Sequence, residues 1–487
     1  MFKGKNLVRI AAFALCLLLM AAALSGCGPN KLEPIDLGSF VDDMSQEYTV
    51  RWCIPSTGEP VGWKEVETEI NKILKEKINA KLEMNFIQWG DYEQKMQLIM
   101  SSGEPYDLCF TSTWINKTVP SIVSGAYIPI DDLLVNTPEL ESLFTKNILE
   151  AAKFGGKLYG IPALQMMFDQ KGWSFKKAES EKYGLDPYSV KSYDDMGDIF
   201  AVIKENEPEL IPAAYGDPDL FEPLGTSFEY MFYIKDGEVL EYADMFKEGM
   251  AVMRDWYLKG YFPSDIATLK DDQPLRKAGR LYSQYQRYAP GIEESNRLSY
   301  DYDICLVATS EPLISSDSVK SGLTAVSVTS RNPIRALKLV ELMNTDKTLF
   351  NLMGAGLEGR DYTLDPEDSN KKAEKLTEYG IPAFLYGNSF LSLSSPGIPD
   401  DVGELTIALN NTAPLDPNVG FSFDTAKVET EMAQLSAVYE EFKKIIQNGL
   451  DDTEPLVTSF RNKCAAAGSA KVASELKSQY DAWKASK

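Results

Sequence analysis

Between Trp63 and Ile78 the apolar residues Trp63, Val66, Ile70, Ile73, Leu74 and Ile78 recur three or four positions apart. That is the spacing of one helix face, and it predicts an amphipathic helix over Val61 to Ile78. The period changes on either side. Tyr48 to Ile54 (YTVRWCI) is β-branched and aromatic and runs into the loop Pro55 to Gly58. In KLEMNFIQW, from Lys81, the residues Leu82, Met84 and Phe86 alternate inward as in a strand. Asp91 opens a second helix to about Ser101, and PYDLCF, ending at Phe110, reads as a third strand before the loop TSTWINKT. A β-α-β-α-β succession whose strands are apolar on both faces predicts a parallel sheet covered by helices.

Ligands of such sheets bind beyond the carboxyl ends of the strands. This puts Ser56 to Trp63, Gln88 to Tyr92 and Thr111 to Asn116 on one rim, and each loop carries a tryptophan. A turn-rich passage, YIPIDDLL and FGGKLYGIP, closes this lobe near Pro162. A second lobe follows. GWSFKKA reads as a strand, Ser192 caps a helix, Met- and aromatic-rich helices run from Tyr242 to Leu258, and LRKAGRLYSQYQRY supplies a short helix and an aromatic strand. YDICLVAT and LTAVSVTS are buried strands; Asn332-Pro333 starts a helix bearing Ile334, Leu337, Val340 and Met343, and Asp346 caps the next. A chain that leaves one α/β lobe, builds another and returns predicts a hinged two-lobe protein.

The N-terminus carries a different kind of pattern. Lys3, Lys5 and Arg9 precede an uncharged apolar run that ends at Leu24-Ser25-Gly26-Cys27. The run is shorter than the roughly 20 residues of a membrane-spanning helix, so 1–26 reads as a bacterial signal peptide. The tetrapeptide resembles the bacterial lipobox, which implies lipidation of Cys27 and an extracellular, membrane-anchored location. Residues 28–47, with Pro, Gly and acids but no period, read as a spacer.

Composition narrows the chemistry. With 44% hydrophobic and 25% charged residues the chain is globular. Its formal net charge of −23 repels phosphate backbones, so nucleic acid is not an expected partner. There is no histidine, which excludes Ser-His-Asp and Cys-His nucleophiles and HExxH zinc sites. Beyond Cys16 and Cys27 only Cys53, Cys109, Cys305 and Cys464 remain. Three of them lie in apolar runs, so no disulfide framework is implied.

One motif points elsewhere. Gly354 to Gly359 (GAGLEG) has the G-x-G-x-x-G spacing of a dinucleotide site. Such a site needs a strand before the first glycine and a helix after the last. Here the order is reversed: a helix precedes Gly354, which reads as its left-handed C-cap, and RDYTLDPEDSN follows. No Walker, EF-hand or Cys/His pattern is present, and no cofactor or metal is expected. Among the 72 acidic residues Glu358 is the best single catalytic candidate, on a tight glycine-flanked loop, but it has no identifiable partner.

Several passages resemble the extracellular solute-binding lipoproteins of sugar ABC importers, in the large Firmicutes group that carries an extra C-terminal domain of unknown function. They are PYDLCFTSTW, YIPIDDLL, GGKLYGIP, SRNPIRALKLVELMNTD, GLEGRDY, GFSFDTAKVETEMAQLSAVYEEF and KCAAAGSAKVASELKSQYDAW. The resemblance spans essentially the whole chain, and GLEGRDY and the GFSFDTAKV tail are its more specific pieces. It implies a periplasmic-binding-protein fold of two α/β lobes with a hinge, a ligand cleft and a helical C-terminal extension. Lobe 1 would comprise 48–160, lobe 2 161–300, the return to lobe 1 and hinge 301–365, and a C-terminal domain packed on lobe 2 366–487, after an anchored linker over 27–47. It departs from the family at Arg360 and Asp361, where the loop commonly reads GxEGKHY.

The resemblance further implies a non-enzymatic monomer that captures a carbohydrate and hands it to permease subunits. Sugars present apolar ring faces edged by hydroxyls, which call for aromatic platforms and paired polar groups. The aromatic candidates are Trp63, Trp89, Trp114, Trp173, Tyr282 and Tyr285; the polar ones are Asp91, Asn116, Gln165, Arg287 and Glu358. Trp256 and Trp483 are assigned to packing. Arg276, Arg280 and Arg287 could together form a local basic pocket. The alternatives are a surface glycoside hydrolase or lyase using carboxylates and Tyr, and a sensor or adhesin without a small ligand.

Overall fold

The computed structural model describes residues 40–221, 226–228, 231–269 and 271–486. Residues 1–26, which read as a signal peptide, Cys27 and residues 28–39 lie outside the described residues. The first sheet contains β1 (Tyr48–Ser56), β2 (Ala80–Gln88), β3 (Leu108–Thr111), β4 (Gly160–Pro162) and β12 (Leu323–Val326), in the order β2-β1-β3-β12-β4. β1 runs parallel to β2 and β3, and β12 is antiparallel to β3 and β4. The second sheet contains β5 (Lys171–Lys176), β6 (Ile211–Ala213), β10 (Leu281–Arg287) and β11 (Ile304–Ala308), in the order β11-β5-β10-β6. Two smaller sheets add β7 (Thr226–Phe228), β8 (Phe232–Lys235) and β9 (Glu238–Glu241), and β13 (Tyr362–Leu364) with β14 (Lys372–Lys375).

The periodicities act where they were read. β3 is buried throughout because strands flank it on both sides, whereas β2, at the sheet edge, buries Leu82 and half-buries Met84 and Phe86. The first helix spans Trp63–Ile78 and buries Trp63, Val66, Ile70, Leu74 and Ile78. It starts two residues later than expected because Gly62 takes the left-handed conformation (φ 84°) at its N-cap. Ser192, Asn332 and Asp346 each cap a helix, accepting from the backbone N–H of Asp195, Arg335 and Leu349.

The GAGLEG stretch corrects one detail. Gly354 lies inside the helix Lys347–Ala355, and Gly356 (φ 86°, ψ −145°) ends it. Gly354 is small because a Cβ there would lie 2.1 Å from the hydroxyl of buried Tyr386. Gly354→Ala gains helix propensity of about 1 kcal/mol but must displace that ring. Overpacking of this kind costs about 1–3 kcal/mol, so a net loss in urea unfolding is expected.

The chain crosses between the sheets three times. Residues 163–170 join β4 to β5 and residues 309–315 lead back from β11. The two crossings bond to each other through Asp169 and Leu313, whose N–H groups each donate to the other's carbonyl (2.8 and 2.9 Å). The third crossing, after Ala413, leads to the helices Glu429–Asn448, Thr453–Ala466 and Ser469–Ala485. Their apolar faces share one core with β8, Tyr242, Phe246 and Met250. Tyr379, Ile381, Leu385, Tyr386 and Ala413, all within 366–487, instead pack in the core of the first sheet.

The N-terminal spacer also needs correcting. Residues 40–47 are bound to the first lobe: the Asp42 carboxylate takes Nε (3.0 Å) and Nη2 (2.6 Å) of Arg335, whose side chain is fully buried. The same guanidinium donates to the carbonyls of Ile78 and Asn79 (both 2.8 Å). These carbonyls precede β2, so the chain is clamped at the amino ends of the strands, opposite the rim formed by their carboxyl ends. Cys53, Cys109, Cys305 and Cys464 are free and buried. Among the described residues no helix is long and apolar enough to cross a membrane.

Candidate functional site

The carboxyl ends of β1, β2 and β3 form one rim, and the short loop after β3 builds its most exposed feature. Ser112 Oγ accepts from the N–H groups of Trp114 (3.2 Å) and Ile115 (2.9 Å), closing a side-chain turn. Asn116 takes a left-handed conformation (φ 46°). Its amide donates to the Phe110 carbonyl (2.8 Å) and the Tyr127 hydroxyl (3.1 Å). Trp114 is thereby lifted out of the fold, 50% exposed, with its indole N–H fixed on the Ser321 carbonyl at 2.7 Å.

Around it stands an aromatic group. Trp89, in the 3-10 turn after β2, stacks on Trp114 with centroids 5.9 Å apart and planes at 20°. Phe384 joins Trp89 at 6.5 Å, and buried Phe110 supports both Trp114 and Phe384 edge-on. An exposed indole face backed by rings is rigid in two directions. It can stack on an apolar ring face with little entropy left to lose.

On the second sheet the corresponding edge is the carboxyl end of β10 and β6. Tyr285 on β10 is 43% exposed. Burial, and the neighbouring carboxylates of Asp217, Asp169 and Asp219, push its phenol up to about 12, so it stays a hydrogen-bond donor at neutral pH. Arg287 donates to the Phe168 carbonyl (2.9 Å) and forms an ion pair with Asp169. In the loop after β6, burial and the adjacent Asp219 raise the Asp217 carboxyl, while Asp219 is held low against its own burial by Asp217 and Lys171. Lys171 sits 3.3 Å from the Asp219 carboxylate.

The sequence candidates therefore divide. Trp89, Trp114 and Asp91 lie together on the rim of the first sheet, Tyr285 and Arg287 on the edge of the second, and Gln165 is half-buried in the crossing between them. Trp63, Trp173 and Tyr282 are buried in the cores and offer no open face for stacking. Trp63 faces the sheet in the helical stripe, Trp173 donates to Ser283 Oγ at 2.9 Å, and Tyr282 bonds Ser180. Asn116 is buried as well, and shapes the Trp114 loop from below.

Glu358 is exposed on its loop. The loop itself is tied down by the two residues that depart from the family pattern. Asp361 accepts from the Leu357 N–H (2.8 Å) and from Arg360 Nε (3.0 Å), and Arg360 donates to the Gly62 carbonyl (3.1 Å). Their charges are spent on each other and on the rim loop after β1. A shared basic pocket does not form: Arg287 is paired with Asp169 and Arg276 with Asp272, while Arg280 precedes β10 at its opposite end. Sequence reading missed Phe384, Lys171, Asp217 and Asp219. Phe384 sits in a Gly/Pro-bounded stretch (GIPAFLYG) and Asp217 in the strand-end loop YGDPD, signals that mark loops but not their neighbours. Among the described residues no group of three Cys, Asp or Glu could hold a metal ion.

Two α/β lobes joined by three crossing segments, with aromatic groups on the strand ends, make the two-lobe fold seen in periplasmic solute-binding proteins. The chain matches the family model of bacterial extracellular solute-binding proteins over residues 63–296, and a domain of unknown function, DUF3502, over residues 417–485. It is 24% identical over 498 residues to a carbohydrate ABC transporter substrate-binding protein of Streptococcus pneumoniae serotype 4, covering 98% of each chain. Among solved structures it is similar to the N-glycan transport solute binding protein (NgtS) of Streptococcus pneumoniae, with TM-score 0.77, 23% identity, and 89% and 98% of the two chains covered. The same protein in complex with Man5GlcNAc gives TM-score 0.64 at 23% identity, covering 90% and 99%. Alginate-binding protein AlgQ2 gives 0.58 at 16%, covering 89% and 98%.

Proposed function

We propose that this protein captures an oligosaccharide between its two lobes and delivers it to the permease of an ABC importer, without altering the sugar. The observation that carries this reading is the Trp89–Trp114–Phe384 group at the strand ends of the first lobe. The polar edge of Tyr285, Arg287 and Asp169 on the second lobe supports it, because hydroxyls at a sugar's rim need such donors and acceptors. The carbohydrate transporter relative and the N-glycan-binding neighbour support the ligand class. Ligand bridging both lobes stabilises one relative arrangement, and that arrangement is the signal a permease reads.

Cys27, within the lipobox-like LSGC, is the proposed lipid attachment site, which holds the monomeric receptor at the outer face of the membrane. The proposed domain division keeps the two lobes and adds the C-terminal helices on the second.

Trp114→Ala tests the reading. Half of this side chain is exposed, so stability should change little, while affinity for the cognate glycan should fall about tenfold or more, equivalent to about 1.4 kcal/mol. Unchanged affinity by titration calorimetry would remove the aromatic rim from the binding site.

A further inference from the structure

The helix Val402–Thr412 inverts the usual pattern. Leu405 is 48% and Ile407 39% exposed, while the polar Thr406 and Asn410 are buried. A helix that turns polar residues inward must meet polar partners there. Thr406 bonds the helix's own Val402 carbonyl, but Asn410 reaches outside the helix. Its Oδ1 accepts from the Met167 N–H at 2.8 Å and its Nδ2 donates to the Gln165 carbonyl at 2.7 Å. Asn410 is only 4% exposed. One amide thus saturates two backbone groups of the first crossing.

The same helix engages the second crossing through the residues that follow it. The Ile314 N–H donates to the Pro414 carbonyl (2.9 Å), and the Asp416 N–H donates to the Ile314 carbonyl (2.8 Å). At its other end the helix meets the second lobe. A Cβ on Gly291, just beyond β10, would lie 2.9 Å from Val402, and one on Gly397 would lie 3.0 Å from Leu298. The helix therefore spans from the second lobe to both crossings.

We infer that Asn410 is a positioning residue for ligand capture, holding the Gln165–Met167 crossing at the cleft floor so that the 402–412 helix acts as a brace on the hinge. The inference rests on the proposed glycan capture for its affinity readout only. Any rotation of one lobe against the other pivots on the three crossings, and the third follows directly from this helix. A side chain that fixes one of them fixes where Gln165 stands and how far the lobes turn.

The test uses Asn410→Leu, which keeps the branched shape but removes both hydrogen bonds, and Asn410→Asp, which keeps the acceptor for Met167. In Asn410→Leu, amide hydrogen exchange at Met167 and its neighbours should accelerate about tenfold or more while β1 and β5 keep their protection. Affinity for Man5GlcNAc, used as the probe, should fall about tenfold. Asn410→Asp should restore protection of the Met167 amide. A folded Asn410→Leu with exchange within about twofold of wild type, or with protection lost uniformly across β1 and β5, overturns the inference. If the wild-type protein binds no Man5GlcNAc, that outcome counts against the ligand reading, and the exchange result still decides the brace.

Discussion

Asp42→Ala is expected to lower stability by about 3–5 kcal/mol, the usual cost of leaving one member of a buried ion pair alone. The size follows from what the substitution strands. Arg335 is fully buried, and its guanidinium gives Nε and Nη2 to Asp42 in a bidentate pair while Nη1 and Nη2 serve the carbonyls of Ile78, Asn79, Gln46 and Asp43. The carbonyls stay, but the countercharge goes, and Asn332 Nδ2 loses its acceptor as well.

Acid should do the same more gently. Burial raises the Asp42 carboxyl, but the bonds from Arg335 and Asn332 and the charges of Arg335 and Lys338 outweigh it, so the folded value lies below the ordinary 3.8. The pair's contribution is complete above the unfolded value and is lost as pH falls below it through the folded one. Asp42→Asn should abolish that part of the acid sensitivity. The paired replacement Asp42→Leu with Arg335→Met should recover most of the loss, because two apolar groups replace two charges. Urea unfolding at pH 7 and pH 3 reads all three; a single Asp42→Ala variant as stable as wild type would deny the clamp any role.

Lys320→Met carries the second large effect, in the opposite direction. Lys320 is 3% exposed, with its ammonium 4.1 Å above the Phe154 ring. Burial pushes the amine down from 10.5 to about 8, and the Asp317 carboxylate offsets only part of this. A depressed base binds fewer protons folded than unfolded, so stability is withheld below about 8 and regained as pH rises from about 8 toward 10.5. At pH 7 the penalty amounts to about 3 kcal/mol. Methionine fills the same space without the charge. The variant should gain up to about 3 kcal/mol at pH 7, less whatever the ammonium gains from the ring, and the gain should vanish near pH 10.5. A constant difference across that range would place the effect in packing.

Local rules made the strands, the helix starts and the two-lobe course legible, because caps and periods act within a few residues. The rim was legible from the same source: strand ends in a parallel sheet, each with a tryptophan. Which tryptophan points outward was a tertiary matter, though not wholly hidden. Trp63 stands in register with Val66 and Ile70 and so had to face the sheet. Trp114, in a loop of Ser, Asn and Thr, had no such stripe to join. Asn410 ran against the pattern, since Leu405 and Ile407 stay exposed while the backbone groups of the crossing draw the Asn410 amide inward. Nor could the order of residues show that Arg360 and Asp361 neutralise each other and hold the Glu358 loop on Gly62.

The central claim is that a glycan binds this protein as it is, across the aromatic rim. Thermal unfolding of the mature protein against a panel of oligosaccharides tests it most directly, because a ligand of the native state raises the midpoint by mass action, by about 2.7 kcal/mol of stability at 100 times its dissociation constant. The account predicts that at least one oligosaccharide raises the midpoint in a concentration-dependent way and is recovered unshortened. A panel in which no sugar moves the midpoint, or in which the sugar that does is cleaved, would contradict it.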